Sequence, residues 1–192
     1  MPAALLLFGY LCGSVPFGVL LTRWRRGVDV RLSGSGNIGA TNVTRVAGKK
    51  LGALVLVLDA LKGTLPVLLA VRLQPGAAPL HAAVGLAAFF GHVYPVWLRL
   101  RGGKGVATAL GVLLALVPQA ALAGALVYAV IVLVRRVSSL GSLGGAVTAV
   151  GVALGTASAP AYGLLSLLLL LLVVWTHRGN IARIARRSER RF

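Results

Sequence analysis

Apolar residues in this chain gather into long stretches, separated by short breaks that are basic and rich in glycine. Seven stretches stand out, at roughly 2–22, 51–71, 77–97, 105–117, 120–134, 141–158 and 161–176. About 20 consecutive apolar residues, wound as a helix, cross the hydrocarbon core of a bilayer. The pattern therefore predicts an all-α integral membrane protein of seven transmembrane helices, in a single polytopic domain over residues 1–192. The fourth stretch is short for a full crossing, and its ends are expected to reach into neighbouring loops.

The breaks give the orientation. Arg23, Arg25, Arg26, Arg31, Arg45, Lys49 and Lys50 follow the first stretch, Arg99, Arg101 and Lys104 the third, and Arg135 and Arg136 the fifth. The tail carries six arginines from Arg178 to Arg191. These make 18 of the 20 Lys and Arg residues, all on alternate loops, while the opposite loops hold only Arg72. Short loops rich in Lys and Arg stay in the cytoplasm, which predicts an outside N-terminus and a cytoplasmic C-terminus.

Composition agrees with this. The chain is 58% hydrophobic, its mean hydropathy is +0.90, and 12% of its residues are charged, against about 25% in soluble domains. A net charge of +17 raises nucleic-acid binding as a possibility, but the cations lie in short clusters between apolar runs without stacking aromatics, so no nucleic-acid partner is expected. Cys12 is the single cysteine and can form no intrachain disulfide. The first run lacks a basic segment before it and is followed by arginines, so it is expected to be a retained span and not a cleaved signal.

Polar chemistry concentrates in residues 33–45, which hold three glycines, four hydroxyl side chains, two asparagines and Arg45. Backbone N–H groups and small polar side chains in such a loop suit a phosphate. Gly34, Gly36 and Gly39 have the spacing of the dinucleotide fingerprint, but that motif needs a strand before it and a helix after it in a soluble unit. Asp59, twenty residues on, lies inside an apolar run instead. Gly102-Gly103-Lys104-Gly105 likewise falls short of a phosphate-binding P-loop, because Gly105 stands where Ser or Thr must follow the lysine.

The remaining polar clusters are Gly102–Thr108, Ser138–Ser142 and His177–Asn180, all on the loops assigned to the cytoplasm. Four loops on one membrane face could converge on one pocket at headgroup level. Gly102–Gly105 precedes an apolar helix, whose N–H groups and positive dipole end suit an anion. Lys104 and Arg45 are the best phosphate ligands. Ser138, Ser139 or Ser142 could instead cap the sixth helix.

His177 ends the seventh run, where the helix dipole favours its protonated form, and with Asn180 it makes a candidate hydrogen-bonding or proton-handling pair. His81 and His92 are expected to be structural, and no histidine has a partner at metal-ligand spacing. Asp59 and Lys62 share a helix face and are expected to form an ion pair near one end of the second span. Glycines at 141–145 and 151–155 are expected to permit close helix packing.

Three segments together resemble a known family. Gly34–Asn42 with Arg45, Gly102–Thr108, and His177–Arg183 are similar to the three motifs of the bacterial acyl-phosphate:glycerol-3-phosphate acyltransferases. Leu58–Gly63 and the serine run at 138–142 fit as well, and the resemblance covers the whole chain. It implies transfer of a fatty acyl group from acyl-phosphate to the primary hydroxyl of sn-glycerol 3-phosphate, giving lysophosphatidate and inorganic phosphate. This is the first step of phospholipid synthesis, at the bacterial inner membrane with the active site facing the cytoplasm. Its partners are the two phosphorylated substrates and membrane lipid; no cofactor and no metal is implied.

Carried over by position, the resemblance makes Ser35, Lys104, His177 and Asn180 the catalytic set. Arg45, Ser142, Asn37, Gly39, Thr41, Asn42, Gly103 and Gly105 become substrate-binding residues. Arg45, Lys104, Ser35, Ser142, His177 and Asn180 would hold glycerol phosphate, and Asn37, Gly39, Thr41, Asn42 and Gly103 the acyl-phosphate. Other glycerolipid acyltransferases use a His-x4-Asp dyad. Here Trp97 follows His92 at that spacing and Ala182 follows His177, so catalysis is expected to rest on positioning, with a substrate phosphate taking the proton. A small anion transporter is the rival reading, though such proteins bind at the midplane between repeats, and no repeat is evident here.

Overall fold

The computed structural model describes residues 1–191. Among them are ten α-helices and two short 3-10 turns, with no strand. Helices α1 (Pro2–Ser14) and α2 (Phe17–Arg26) lead to a 3-10 turn (Val30–Leu32), α3 (Ala40–Ala47), α4 (Lys49–Leu73) and α5 (Ala78–Val93). A second 3-10 turn (Val96–Leu98) precedes α6 (Val106–Leu116), α7 (Pro118–Arg135), α8 (Ser138–Thr156), α9 (Pro160–Thr176) and α10 (Arg178–Ala185).

Every predicted apolar run is helical, but they do not all reach across a bilayer. Five helical stretches among the described residues are long and apolar enough: Pro2–Arg26, Lys49–Leu73, Ala78–Leu98, Pro118–Arg135 and Ser138–Thr156. A sixth is added if α9 and α10, bent by 61° at His177, count as one span. Helix α6 has 11 residues and at about 1.5 Å per residue covers roughly half of the hydrocarbon core. Seven full spans are therefore not established.

Within Pro2–Arg26, α1 and α2 are separated at Val15 and Pro16. Proline has no N–H to continue the α1 ladder, and Val15 adopts extended backbone angles (φ −62°, ψ 116°).

The chain divides into two compact units, Met1–Val112 and Leu113–Phe192. In the first, α1 lies along α5 and α4. Glycine makes the approach possible: a methyl group on Gly13 would strike the Ala88 backbone, and one on Gly91 that of Tyr10. Small residues serve this purpose where lipid offers no hydrophobic drive between helices. Val19, Val30, Ile38, Val43, Ala47 and Val55 form a buried cluster that fastens the segment between α2 and α4 onto those helices.

In the second unit α7 packs along α8, and α8 against α9. Gly124 and Gly145 face each other there, and a methyl on Gly124 would come within 2.7 Å of the Gly145 carbonyl oxygen. Gly141 is likewise closed in by Tyr128 and Val132, whereas Gly151 and Gly155 have open space beside them. Only the first of the two expected glycine groups is thus a packing device.

Candidate active site

In the first unit the site begins with the loop leading into α3. Gly27 ends α2 in the left-handed conformation, and the Asp29 carboxylate then gathers Arg31 and Arg23. It accepts from Arg31 Nε at 2.9 Å, from the Arg31 main-chain N–H at 3.0 Å and from Arg23 Nη2 at 2.7 Å. The Arg31 side-chain bonds, with the Arg31 amide and Arg23 adding to them, hold this carboxyl far below the usual carboxylate range.

Asn42 organises the rest. Its side chain is 1% exposed; Nδ2 donates to the carbonyls of Val30, Ser33 and Asn37, and Oδ1 accepts the Ser35 N–H at 2.8 Å. Gly34 (φ +62°) must curl past this amide, and a methyl there would strike Asn42 Oδ1. Asn37 Oδ1 accepts the Gly39 N–H at 2.8 Å, a local turn before α3. The expected ligand role of Asn42 is thereby displaced. Its amide is spent inside the loop, where it sets the shape that leaves Ser35 exposed and Asn37, Gly39, Thr41 and Arg45 half-buried.

The second loop grows from the end of α5. The N–H groups of Gly102 and Gly103 donate to the carbonyls of Val93 and His92, both at 3.0 Å. Two of the amides expected to be free for an anion are therefore committed to holding the loop. Gly103 is buried and Lys104 half-buried. Gly105 takes φ +80° against the Phe89 ring, so its role is to turn the chain into α6.

Beneath this loop lie buried ionisable groups. Lys62 Nζ is 2.8 Å from Asp59 Oδ1 and donates to the Val15 carbonyl at 2.8 Å. The ion pair exists as expected, but it sits in the middle of the 25-residue α4 and not near its end. His92 Nδ1 is 3.7 Å from the same Asp59 oxygen. His81, also buried, bonds the Gln74 carbonyl through Nε2 at 2.8 Å, a structural contact as expected.

In the second unit the serines do not cap α8, whose N-cap is Val137 without a side-chain bond. Each hydroxyl is used elsewhere: Ser138 Oγ pairs with the Tyr128 hydroxyl at 3.1 Å, Ser142 Oγ donates back to the Ser138 carbonyl at 3.0 Å, and Ser139 Oγ donates to Glu189 at 3.0 Å. His177 is 2% exposed and its Nδ1 lies 2.8 Å from the Val173 carbonyl. A carbonyl only accepts, so Nδ1 carries the proton.

Glu189 draws this region together. Its carboxylate accepts from Ser139, from Asn180 Nδ2 and from Arg183 Nε. Burial raises its pKa, but the bonds from Asn180, Arg183 and Ser139 outweigh that and hold it below the ordinary glutamate range. Sequence reasoning passed over Glu189, although an acid alone in an arginine-rich tail, one of three Asp and Glu in the chain, is the signal that points to it.

Within each unit the expected residues thus fall into ordered groups. Ser35, Asn37, Gly39, Thr41, Asn42 and Arg45 share one loop, Gly103, Lys104 and Gly105 a second, and Asn180 is tied to the serine run through Glu189. Cations, hydroxyls and amides held on glycine-rich turns are groups that bind phosphate. The chain is an all-helical integral membrane protein bearing such loops.

A family model described as Glycerol-3-phosphate acyltransferase matches residues 3–187. The glycerol-3-phosphate acyltransferase of Myxococcus xanthus (strain DK1622) is 72% identical over 192 residues, covering 100% of both chains. That of Anaeromyxobacter dehalogenans (strain 2CP-C) is 52% identical over 98% of this chain and 96% of its own. The crystal structure of PlsY, an integral membrane glycerol 3-phosphate acyltransferase, in its glycerol 3-phosphate form has a TM-score of 0.95 and 41% identity. It covers 100% of this chain and 95% of that one. Its lysophosphatidic acid form has a TM-score of 0.93 with the same coverage. The chain belongs to the glycerol-3-phosphate acyltransferase family.

Proposed function

We propose that this protein transfers a fatty acyl group from acyl-phosphate to the primary hydroxyl of sn-glycerol 3-phosphate, releasing lysophosphatidate and inorganic phosphate. The observation that carries the reading is the full-length match to PlsY, whose two crystal forms are named for glycerol 3-phosphate and lysophosphatidic acid. The donor is read from the family resemblance of the three motifs.

In the reaction the glycerol oxygen forms a bond to the acyl carbon, the bond from that carbon to the phosphate oxygen breaks, and phosphate leaves. Lys104 and Arg45 supply charge to bound phosphate, and Ser35, Thr41, Asn37 and Gly39 line the cradle that Asn42 shapes. Gly103 and Gly105 give the Lys104 loop its turn. By the family resemblance, Ser142, His177 and Asn180 are further glycerol phosphate ligands. The departing phosphate takes the hydroxyl proton, and the enzyme contributes orientation, which is worth about 7–11 kcal/mol in favourable cases. We assign the chain to the bacterial inner membrane as one polytopic domain, with its N-terminus outside and the basic loops and C-terminus cytoplasmic.

The test is turnover by purified protein in lipid, given acyl-phosphate and glycerol 3-phosphate, with acyl-CoA as the control donor. Release of phosphate together with lysophosphatidate is the expected outcome. Solute flux into vesicles without product, or full activity of Lys104→Ala, would overturn the proposal.

A further inference from the structure

The reaction chemistry leaves one group of buried polar residues without a task. Asp59 and Lys62 are 2% and 5% exposed in the middle of α4, and His92 is 3% exposed on α5. Desolvating a charge costs several kcal/mol, and a buried ion pair recovers this only with good geometry and further hydrogen bonds. At membrane depth such groups are costly and tend to be functional.

Their contacts run from the break between α1 and α2 to the loop before α6. Lys62 Nζ joins Asp59 to the carbonyl of Val15, at the break between α1 and α2, and lies 5.7 Å from the Phe17 ring centre. His92 turns Nδ1 toward Asp59 and its other ring edge toward Gly103: a methyl on Gly103 would strike Nε2 and come within 3.0 Å of Cδ2 and Cε1. The His92 carbonyl also accepts the Gly103 N–H. His92 therefore holds Gly103 by main chain and by ring, and Lys104 is the next residue.

Contacts from α4 hold the helix that follows this loop. Thr64 on α4 donates to the Gly111 carbonyl of α6 at 2.8 Å, and a methyl on Gly63 would strike the Thr108 carbonyl. The Gly102–Gly105 turn is thus held by α5, and the helix it leads into packs on the α4 that carries the ion pair.

We propose that Asp59, Lys62 and His92 form a positioning unit that fixes the Gly102–Gly105 turn and so aims Lys104 at substrate phosphate. Asp59 lies against the His92 ring, with Nδ1 3.7 Å away and outside hydrogen-bond reach, Lys62 neutralises Asp59 and ties it to the helix break, and His92 is the strut under Gly103. The three are positioning residues because they act through Lys104. The inference rests on the phosphate-binding role given to Lys104 above.

The experiment compares wild type, Lys104→Ala, Asp59→Leu/Lys62→Met, His92→Leu and His92→Gln in lipid, reading thermal midpoint, kcat and KM for both substrates. The double substitution removes both charges at similar volume, which is often neutral for stability. We expect its midpoint to stay near wild type while KM for a phosphorylated substrate rises about tenfold or more, the scale of a weakened charge-assisted bond. His92→Leu should do the same, and His92→Gln, whose amide reaches the Nε2 position, should recover part of the loss.

A purely structural role would instead lower the midpoint and leave KM unchanged, and that result overturns the proposal. So does a double variant with wild-type KM and kcat while Lys104→Ala is impaired. If the double variant fails to fold, His92→Leu against His92→Gln decides by the same criterion. A wild-type protein without transfer activity would sink the proposed function itself, a distinct outcome.

Discussion

The side-chain oxygen of Asn42 accepts the main-chain N–H of Ser35 at 2.8 Å, seven residues back along the chain. The same side chain donates to three carbonyls, so one buried amide replaces the secondary structure this loop lacks. Asn42→Asp is nearly isosteric but turns a donor into an acceptor facing three acceptors. We predict that it destabilises at least as much as Asn42→Ala. Each carbonyl left unpaired costs about 1–3 kcal/mol. Thermal midpoints of the two variants, with turnover beside them, check this; an Asn42→Asp variant as stable as wild type would contradict it.

Glu189 gives a dependence on pH. Its pKa is held below the ordinary value in the folded chain, so its bonds to Ser139, Asn180 and Arg183 stabilise fully above the unfolded glutamate value, about 4.3. That contribution is lost as pH falls from there through the lower folded value. At neutral pH, Glu189→Gln should cost about 1.5–3 kcal/mol, the range for hydrogen bonds to a charged group. The gap between wild type and Glu189→Gln should then shrink in acid. Melting both from pH 7 to pH 3.5 measures it, and comparing the two cancels the similar contribution of Asp29.

Lys104 stands between two glycines, one packed on His92 and the other turning at φ +80°. Loss of its charge-assisted bond should lower kcat/KM of Lys104→Ala by about 10–150-fold, from 1.5–3 kcal/mol at 1.36 kcal/mol per decade. Lys104→Arg keeps the charge but carries a planar fork in place of a compact ammonium, so its activity should lie between the two. Steady-state kinetics with acyl-phosphate and glycerol 3-phosphate provide the comparison.

Much of this was legible because the bilayer imposes a simple rule: apolar runs become helices, and the seven runs each did. The fourth run was already short in the sequence, at 105–117, and its helix starts only after the Gly102–Gly105 turn and ends before Pro118, leaving 11 residues; the count of seven full crossings is what did not carry over. The phosphate-type loops were legible from glycine, hydroxyl and cation density. What those residues do to each other was not. Asn42 reads as a ligand but is consumed by its own loop, and the serines at 138, 139 and 142, read either as pocket groups or as caps, do not cap but bond Tyr128, Glu189 and the helix backbone. Such outcomes depend on neighbours distant in the chain, as with Glu189 and Ser139, fifty residues apart.

Glycine content alone gives no guide to which helical glycines matter, and α7 and α8 allow a direct contrast. On Gly124 a methyl would lie 2.7 Å from the Gly145 carbonyl oxygen and 3.1 Å from Ala149 Cβ, so the two backbones would have to separate. Overpacking of this kind costs about 1–3 kcal/mol. On Gly151 the same methyl meets nothing within 4 Å, and alanine gains up to about 1 kcal/mol of helix propensity over glycine. Gly124→Ala should therefore lower the thermal midpoint while Gly151→Ala leaves it level or raises it. Equal losses from the two would mean that the α7–α8 contact does not depend on glycine at this crossing.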